Sequence, residues 1–188
     1  MSETANRIIE VMTELIQSRG YSAVSYQDIS EAVGIRKASI HYHYPSKADL
    51  GVAVIRAYAA SLMEQLREVE EDANSTAQDK LNAYFEPYLG FKGNDRHVCL
   101  CGALAGEYFA LPEVMQVEVT AFFAAHQKWL ADLFAASQES GELRMSGSPV
   151  QVARLFFDAL QGALLARRAV DDDSQIDDVV ATLKALVF

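Results

Sequence analysis

Cysteine is scarce in this chain, with two in 188 residues, which argues against a disulfide-stapled secreted fold. Long apolar runs are missing, and none approaches the roughly 18 residues that span a bilayer. The N-terminal MSETANRIIE has no basic stretch leading into an apolar core, so it does not read as a secretory signal. A soluble, cytoplasmic protein with no membrane partner is expected. Strand-type alternation, internal repeats and low-complexity segments are absent, which leaves an all-α reading. No HExxH, phosphate-binding glycine loop or nucleophile–base string occurs, so neither enzyme activity, cofactor nor metal is expected. Positive charge is the scarcer sign: 16 Lys and Arg against 26 Asp and Glu give a net charge of −10. Such a chain does not coat nucleic acid indiscriminately.

What is present is apolar residue at helical spacing. Hydrophobic residues make up 51% of the sequence, enough to fill a core in one or two domains. Residues 3–18 place Ile8, Ile9, Met12, Leu15 and Ile16 on one stripe. A long helix over about 47–72 carries Leu50, Val54, Tyr58, Leu62 and Leu66. Further helices fit 77–90, 97–109, 112–139, 149–169 and 174–187, with the polar 92–95 stretch as a loop. With two short helices between 25 and 44, the count is about nine.

Those two short helices carry the most informative pattern. Ser25 can cap the first, and Ile29, Ala32 and Val33 fall on one apolar face. Gly34 permits the left-handed residue that ends a helix, and Ile35 enters the turn. A second helix fits from Arg36 to Tyr44, with Ile40 and Tyr44 inward and Arg36, Lys37, Ala38, His41 and Tyr42 outward. Pro45 breaks the run, and Ser46 with Asp49 forms a near capping box for the next helix. Residues 34–48 hold Arg36, Lys37 and Lys47 and no acid, whereas residues 51–188 carry a net charge of −9. An acidic body with one basic tip confines DNA contact to that tip.

The pattern is a helix-turn-helix with a basic and aromatic outer face. From Gly20 to Leu50 it is similar to the DNA-binding module of TetR-type one-component regulators. The likeness rests on GY-S-x-V-S at Gly20 to Ser25, on D-I-S-E-A-V-G-I, and on K-A-S-I-H-Y-H-Y-P-S-K-A-D-L from Lys37 to Leu50. It departs from the family at His41, where an aromatic ring is usual. The resemblance implies an N-terminal three-helix DNA-binding domain over 1–46. A larger helical effector-binding and dimerisation domain would follow over 47–188. Positions matching the family's operator contacts are Ser25, Tyr26, Arg36, Lys37, Ala38, His41, Tyr42, His43 and Lys47. Arg36 and Lys37 suit guanine edges or phosphates, and Ala38 suits close backbone approach or a thymine methyl. His41 and His43, two apart on a helix, face different ways and make a poor metal pair.

Cys99 and Cys101 form a second candidate site. Cys99, near a helix start and preceded by Arg96 and His97, would have its thiolate favoured and could sense oxidants or electrophiles. Structural packing is the competing reading, and helical spacing would send only one of the two thiols to the core. A metal held with His97 and His126 is a weaker alternative. The body is also rich in aromatics, among them Tyr58, Tyr84, Tyr88, Phe122, Phe123 and Trp129, which at helical spacing read first as core. The family resemblance implies a small-molecule pocket among the middle helices. Cys99, Glu107, Tyr108, Phe122, His126, Trp129 and Gln161 are the candidate lining residues for a small organic effector.

Residues 155–166 are apolar nearly all round, and Val179, Val180, Leu183, Leu186 and Val187 give the last helix a wide apolar stripe. Two such helices per subunit, over about 149–187, suit a two-fold homodimer. The expectation is a homodimeric repressor that binds palindromic double-stranded operator DNA. A small molecule or cysteine modification would release it. A helical protein-binding adaptor without DNA binding is the alternative.

Overall fold

A computed structural model describes residues 2–93 and 97–188. The described residues form nine α-helices and no strand. They are α1 (Glu3–Arg19), α2 (Tyr26–Val33), α3 (Lys37–His43), α4 (Lys47–Glu71), α5 (Ala77–Leu89), α6 (Leu100–Gly106), α7 (Glu113–Ser140), α8 (Pro149–Val170) and α9 (Ser174–Ala185). A 3-10 turn, Tyr108–Ala110, lies between α6 and α7.

Short polar side chains set the starts of these helices. Ser25 with Asp28, Thr76 with Asp79 and Ser148 with Gln151 form reciprocal capping boxes at α2, α5 and α8. Ser46 and Asp49 do the same before α4: the Asp49 carboxylate accepts from the Ser46 N–H at 3.0 Å, and the Ser46 hydroxyl accepts from the Asp49 N–H at 3.1 Å. Each such cap stabilises its helix by about 1 kcal/mol.

The chain divides into two compact units. The first comprises Met1–Ser61 and Val98–Phe122. Its core is built from Ile8, Met12 and Ile16 of α1, Ile29 of α2, Ile40 of α3, Leu50, Val54 and Ile55 of α4, and Leu104 of α6. The second comprises Leu62–His97 and Phe123–Phe188. There Leu81, Tyr84 and Phe85 of α5, Leu130 and Phe134 of α7, Phe156, Phe157 and Leu160 of α8, and Ile176 and Leu183 of α9 are buried. Burial stabilises by roughly 1.5–3 kcal/mol per large apolar side chain. Phe134 and Phe156 meet edge to face at 4.9 Å between centroids, and Phe85 stacks on Phe156. Among the described residues Arg167 is a charged group buried inside this unit. It pairs with Asp173 at 2.7 Å and donates to the carbonyls of His97, at 3.1 Å, and Phe91.

Three local expectations are corrected. The helix expected over 97–109 is shorter: residues 97–99 are not helical, and the Val98 N–H donates instead to the Gln17 carbonyl of α1 at 3.3 Å. Cys99 has φ −50° and ψ 131°, so the helix begins only at Leu100. For the same reason both cysteines are buried, Cys99 at 3% and Cys101 at 0% exposure. With Cys99 outside the helix, opposed helical faces do not apply. Finally, of the three residues assigned to the apolar face of α2, Ile29 is buried, Val33 is half-buried and Ala32 is exposed.

Arg96, expected to favour the Cys99 thiolate, lies outside the described residues, as do Asn94 and Asp95 of the expected loop. No helix among the described residues is long and apolar enough to cross a membrane. No three His, Cys, Asp or Glu side chains among them converge as a metal-binding group.

Candidate DNA-binding surface

The turn between α2 and α3 is built by backbone demand. Gly34 adopts φ 76° and ψ 30°, the left-handed conformation that costs a glycine little. Its N–H and that of Ile35 both donate to the Ser30 carbonyl, at 3.0 and 3.1 Å, while the Ser30 hydroxyl donates to the Ile35 carbonyl at 2.6 Å. Arg36 is extended, and α3 then runs for two turns. Ile40 and Tyr44 anchor it inward, and the Tyr44 hydroxyl donates to the Ala5 carbonyl of α1 at 3.4 Å.

That anchoring leaves Arg36, Lys37, Ala38, His41 and Tyr42 exposed, Tyr42 at 84%. The Tyr42 ring meets the half-buried His43 edge-on at 5.2 Å. The His41 ring packs 4.6 Å from Tyr26, with its Nδ1 3.2 Å from the Pro45 carbonyl. Beside this face lies a shallow groove of about 440 Å³ lined by Thr4, Ile35, Ala38, Ser39, Tyr42 and His43. Thr4, Ile35 and Ser39 were absent from the sequence-based candidates, Ile35 having been read only as entering the turn. Ser39 could have been found from its exposed side of α3, but Thr4 lies far away in sequence and carries no such signal.

The remaining three candidates are engaged within the unit. Ser25 is committed to its capping box with Asp28, whose carboxyl stays below its usual range chiefly through those bonds to Ser25. The Tyr26 hydroxyl donates to the Tyr44 carbonyl at 2.9 Å. Burial first, then the charge of Asp49, pushes its pKa up to about 12, so it remains a donor at any physiological pH. Lys47 sets its ammonium 4.0 Å over the Tyr21 ring and donates to the Tyr21 carbonyl at 2.6 Å. Burial lowers its pKa, against the opposing charges of Glu107 and Asp28.

The residues expected to bind an effector fall into separate local settings. In the second unit Tyr84 stacks on Trp129 at 5.4 Å and 10°, and its hydroxyl lies 3.3 Å from His126 Nδ1. Burial depresses the His126 pKa to about 4, which keeps the ring neutral. Gln161 reaches the Tyr88 hydroxyl at 3.4 Å, and Tyr88 packs 5.8 Å from Tyr84. The buried Trp129 Nε1–H makes no hydrogen bond. Tyr84 and Tyr88 thus join His126, Trp129 and Gln161, although they were read only as core.

In the first unit Tyr58 stands between Phe122, stacked at 6.0 Å, and Cys99, whose sulfur is 3.8 Å from the Tyr58 hydroxyl. Desolvation, reinforced by Cys99, raises the Cys101 thiol pKa well above its usual value. Tyr108 bonds Thr120 at 3.0 Å, and Glu107 bonds the Ser22 N–H at 2.9 Å.

A face of basic and aromatic side chains on a short helix, held by two others and a glycine turn, can enter a DNA major groove. Comparison with known proteins agrees. The profile of bacterial regulatory proteins of the tetR family matches residues 8–54, and that of the tetracyclin repressor-like C-terminal domain matches residues 77–183. A TetR-family transcriptional regulator from Agrobacterium tumefaciens is 32% identical, covering 98% of each chain with a TM-score of 0.91. A TetR transcriptional regulator from Legionella pneumophila is 30% identical over 100% of this chain and 99% of its own, with a TM-score of 0.89. The transcriptional repressor DhaR of a Mycobacterium species is 26% identical over 94% of this chain and 88% of its own. The chain belongs to the TetR family of bacterial regulators, non-enzymatic transcription regulators with a helix-turn-helix DNA-binding domain.

Proposed function

We propose that the chain is a homodimeric repressor that grips a palindromic operator through α3 and is released by a small organic molecule. The observation that carries this reading is the outer face of α3, where Arg36, Lys37, Ala38, His41 and Tyr42 are exposed on a helix anchored by Ile40 and Tyr44. Lys37 and Arg36 contact guanine edges or phosphates, Ala38 lets the backbone approach, and Tyr42 and His43 reach phosphates. Residues 1–46 form the DNA-binding domain and 47–188 the effector-binding and dimerisation domain. The protein works in the cytoplasm, where its operator lies.

Dimerisation through α8 and α9 is supported by apolar side chains left in solvent. Leu155 is 51%, Leu165 48% and Leu186 51% exposed, with Gly162 open between the two α8 leucines. Two copies joined there by two-fold symmetry would present their α3 helices to major grooves roughly 34–36 Å apart. Effector binding is assigned to the cluster of Tyr84, His126, Trp129 and Gln161, where the unpartnered indole N–H offers a donor. Modification of Cys99 or Cys101 is the weaker route to release, since both are buried and the Cys101 thiol is held protonated.

The experiment is selection of bound fragments from a random duplex library, with reduced protein at stated salt. An enriched palindrome is expected, and it also supplies the operator for effector screening. Absence of enrichment from a folded dimer would overturn the reading in favour of a protein-binding adaptor.

A further inference from the structure

The loop joining α1 to α2 is held by a carboxylate 85 residues away in sequence. Glu107, at the C-terminal end of α6, accepts the Ser22 N–H through Oε2 at 2.9 Å. Its other oxygen lies against Gly20, where a Cβ would come within 2.0 Å of Oε1. Gly20 itself has φ 85° and ψ 163°, so this position suits glycine on two counts. Lys47 donates to the Tyr21 carbonyl at 2.6 Å, and Glu107 is the foremost charge opposing the lowering of its pKa by burial. Adjacent residues are therefore held from two elements: Ser22 by the end of α6 and Tyr21 by the start of α4, with Gly20 leaving room for the Glu107 carboxylate.

We propose that Glu107 is a positioning residue for operator binding, acting through the Gly20–Ser22 loop and not as an effector ligand. Three residues beyond Ser22, Ser25 caps α2, and α2 carries the turn into α3. Where Glu107 holds the loop therefore sets where α2 and α3 stand against α4. The carboxylate serves because it can accept from a backbone N–H with one oxygen while its second oxygen and its charge face Gly20 and Lys47. Glutamine can replace the first function, and alanine can replace neither. This inference rests on the DNA-binding reading above.

The test uses the full-length protein and the duplex selected by the wild type. Glu107→Ala is expected to weaken operator affinity by roughly tenfold, as loss of the acceptor that holds the Ser22 N–H would. Glu107→Gln is expected to stay within about threefold of wild type. The dependence of log affinity on log salt should be the same in all three proteins, because Glu107 neutralises no phosphate. Hydrogen exchange on the free proteins adds a readout that needs no DNA: Ser22 amide protection should be lost in Glu107→Ala and kept in Glu107→Gln. Wild-type affinity in a folded Glu107→Ala protein, equal failure of both variants, or an altered salt slope would each overturn the proposal. Should Glu107→Ala not fold, Ser22 protection in wild type and Glu107→Gln decides. If the wild type enriches no duplex, the DNA-binding reading fails, whereas an unprotected Ser22 amide in the wild type defeats this inference alone.

Discussion

The Tyr84 hydroxyl and His126 Nδ1 lie 3.3 Å apart inside the second unit, and burial holds the imidazole neutral with a pKa of about 4. The unfolded chain takes up a proton near 6.5, and the folded chain does so only near 4. Stability is therefore complete above about pH 6.5 and falls as pH drops towards 4. The loss is on the order of 3 kcal/mol over that window. Urea unfolding of wild type and His126→Leu at pH 7.5 and 4.5 checks this. The leucine variant should lose much of the acid sensitivity, and equal sensitivity would place its origin elsewhere.

On α3, Lys37 and Tyr42 are both exposed, Tyr42 at 84%. Replacing both by alanine should abolish specific operator binding while leaving the melting temperature and oligomeric state unchanged. Lys37→Ala alone should cost about 1–3 kcal/mol if it reads a base, or lower the salt slope by about one if it holds a phosphate. Fluorescence anisotropy across a salt series separates the two.

The Trp129 Nε1–H is buried without a partner. Trp129→Phe removes this polar group and keeps much of the stacking on Tyr84, so it should cost about 1 kcal/mol or less. Trp129→Ala empties the same space and should cost about 3–5 kcal/mol. Chemical denaturation of both variants tests the contrast. A phenylalanine variant as unstable as alanine would mean that the indole N–H is satisfied.

Arg167 is 4% exposed and binds the carbonyls of Phe91 and His97 together with Asp173. The planar fork of arginine serves three acceptors at once, which a lysine ammonium on a different stem does not reproduce. Arg167→Lys should destabilise the fold by about 2 kcal/mol. Thermal unfolding indistinguishable from wild type would show that the fork is dispensable.

A charge at Leu155 or Leu165 tests the proposed dimer face. Leu165→Glu should convert the dimer to a folded monomer in sedimentation velocity, with helicity retained. A persistent dimer would move the interface away from α8.

The helix-turn-helix was legible because each instruction for it is local. Ser25 and Asp28, Ser46 and Asp49, and the left-handed Gly34 act within five residues of what they shape. The apolar spacing of Ile40 and Tyr44 likewise decides which face of α3 is outward. The start of α6 was not legible, since the Val98 N–H is spent on the distant Gln17 carbonyl and Cys99 is non-helical at φ −50° and ψ 131°. No periodicity records a partner about eighty residues away.

Sequence alone thus determined the all-helical class, the capping at Ser25 and Ser46 and the side chains α3 displays, because hydrogen-bond geometry and apolar period are short-range. Tertiary structure decided which polar groups remained available to act. It committed Tyr26 to the Tyr44 carbonyl, Lys47 to Tyr21 and Glu107 to Ser22, and it buried both cysteines. Those outcomes depend on which distant groups packing brings within about 3 Å, a distance at which one hydrogen bond replaces water.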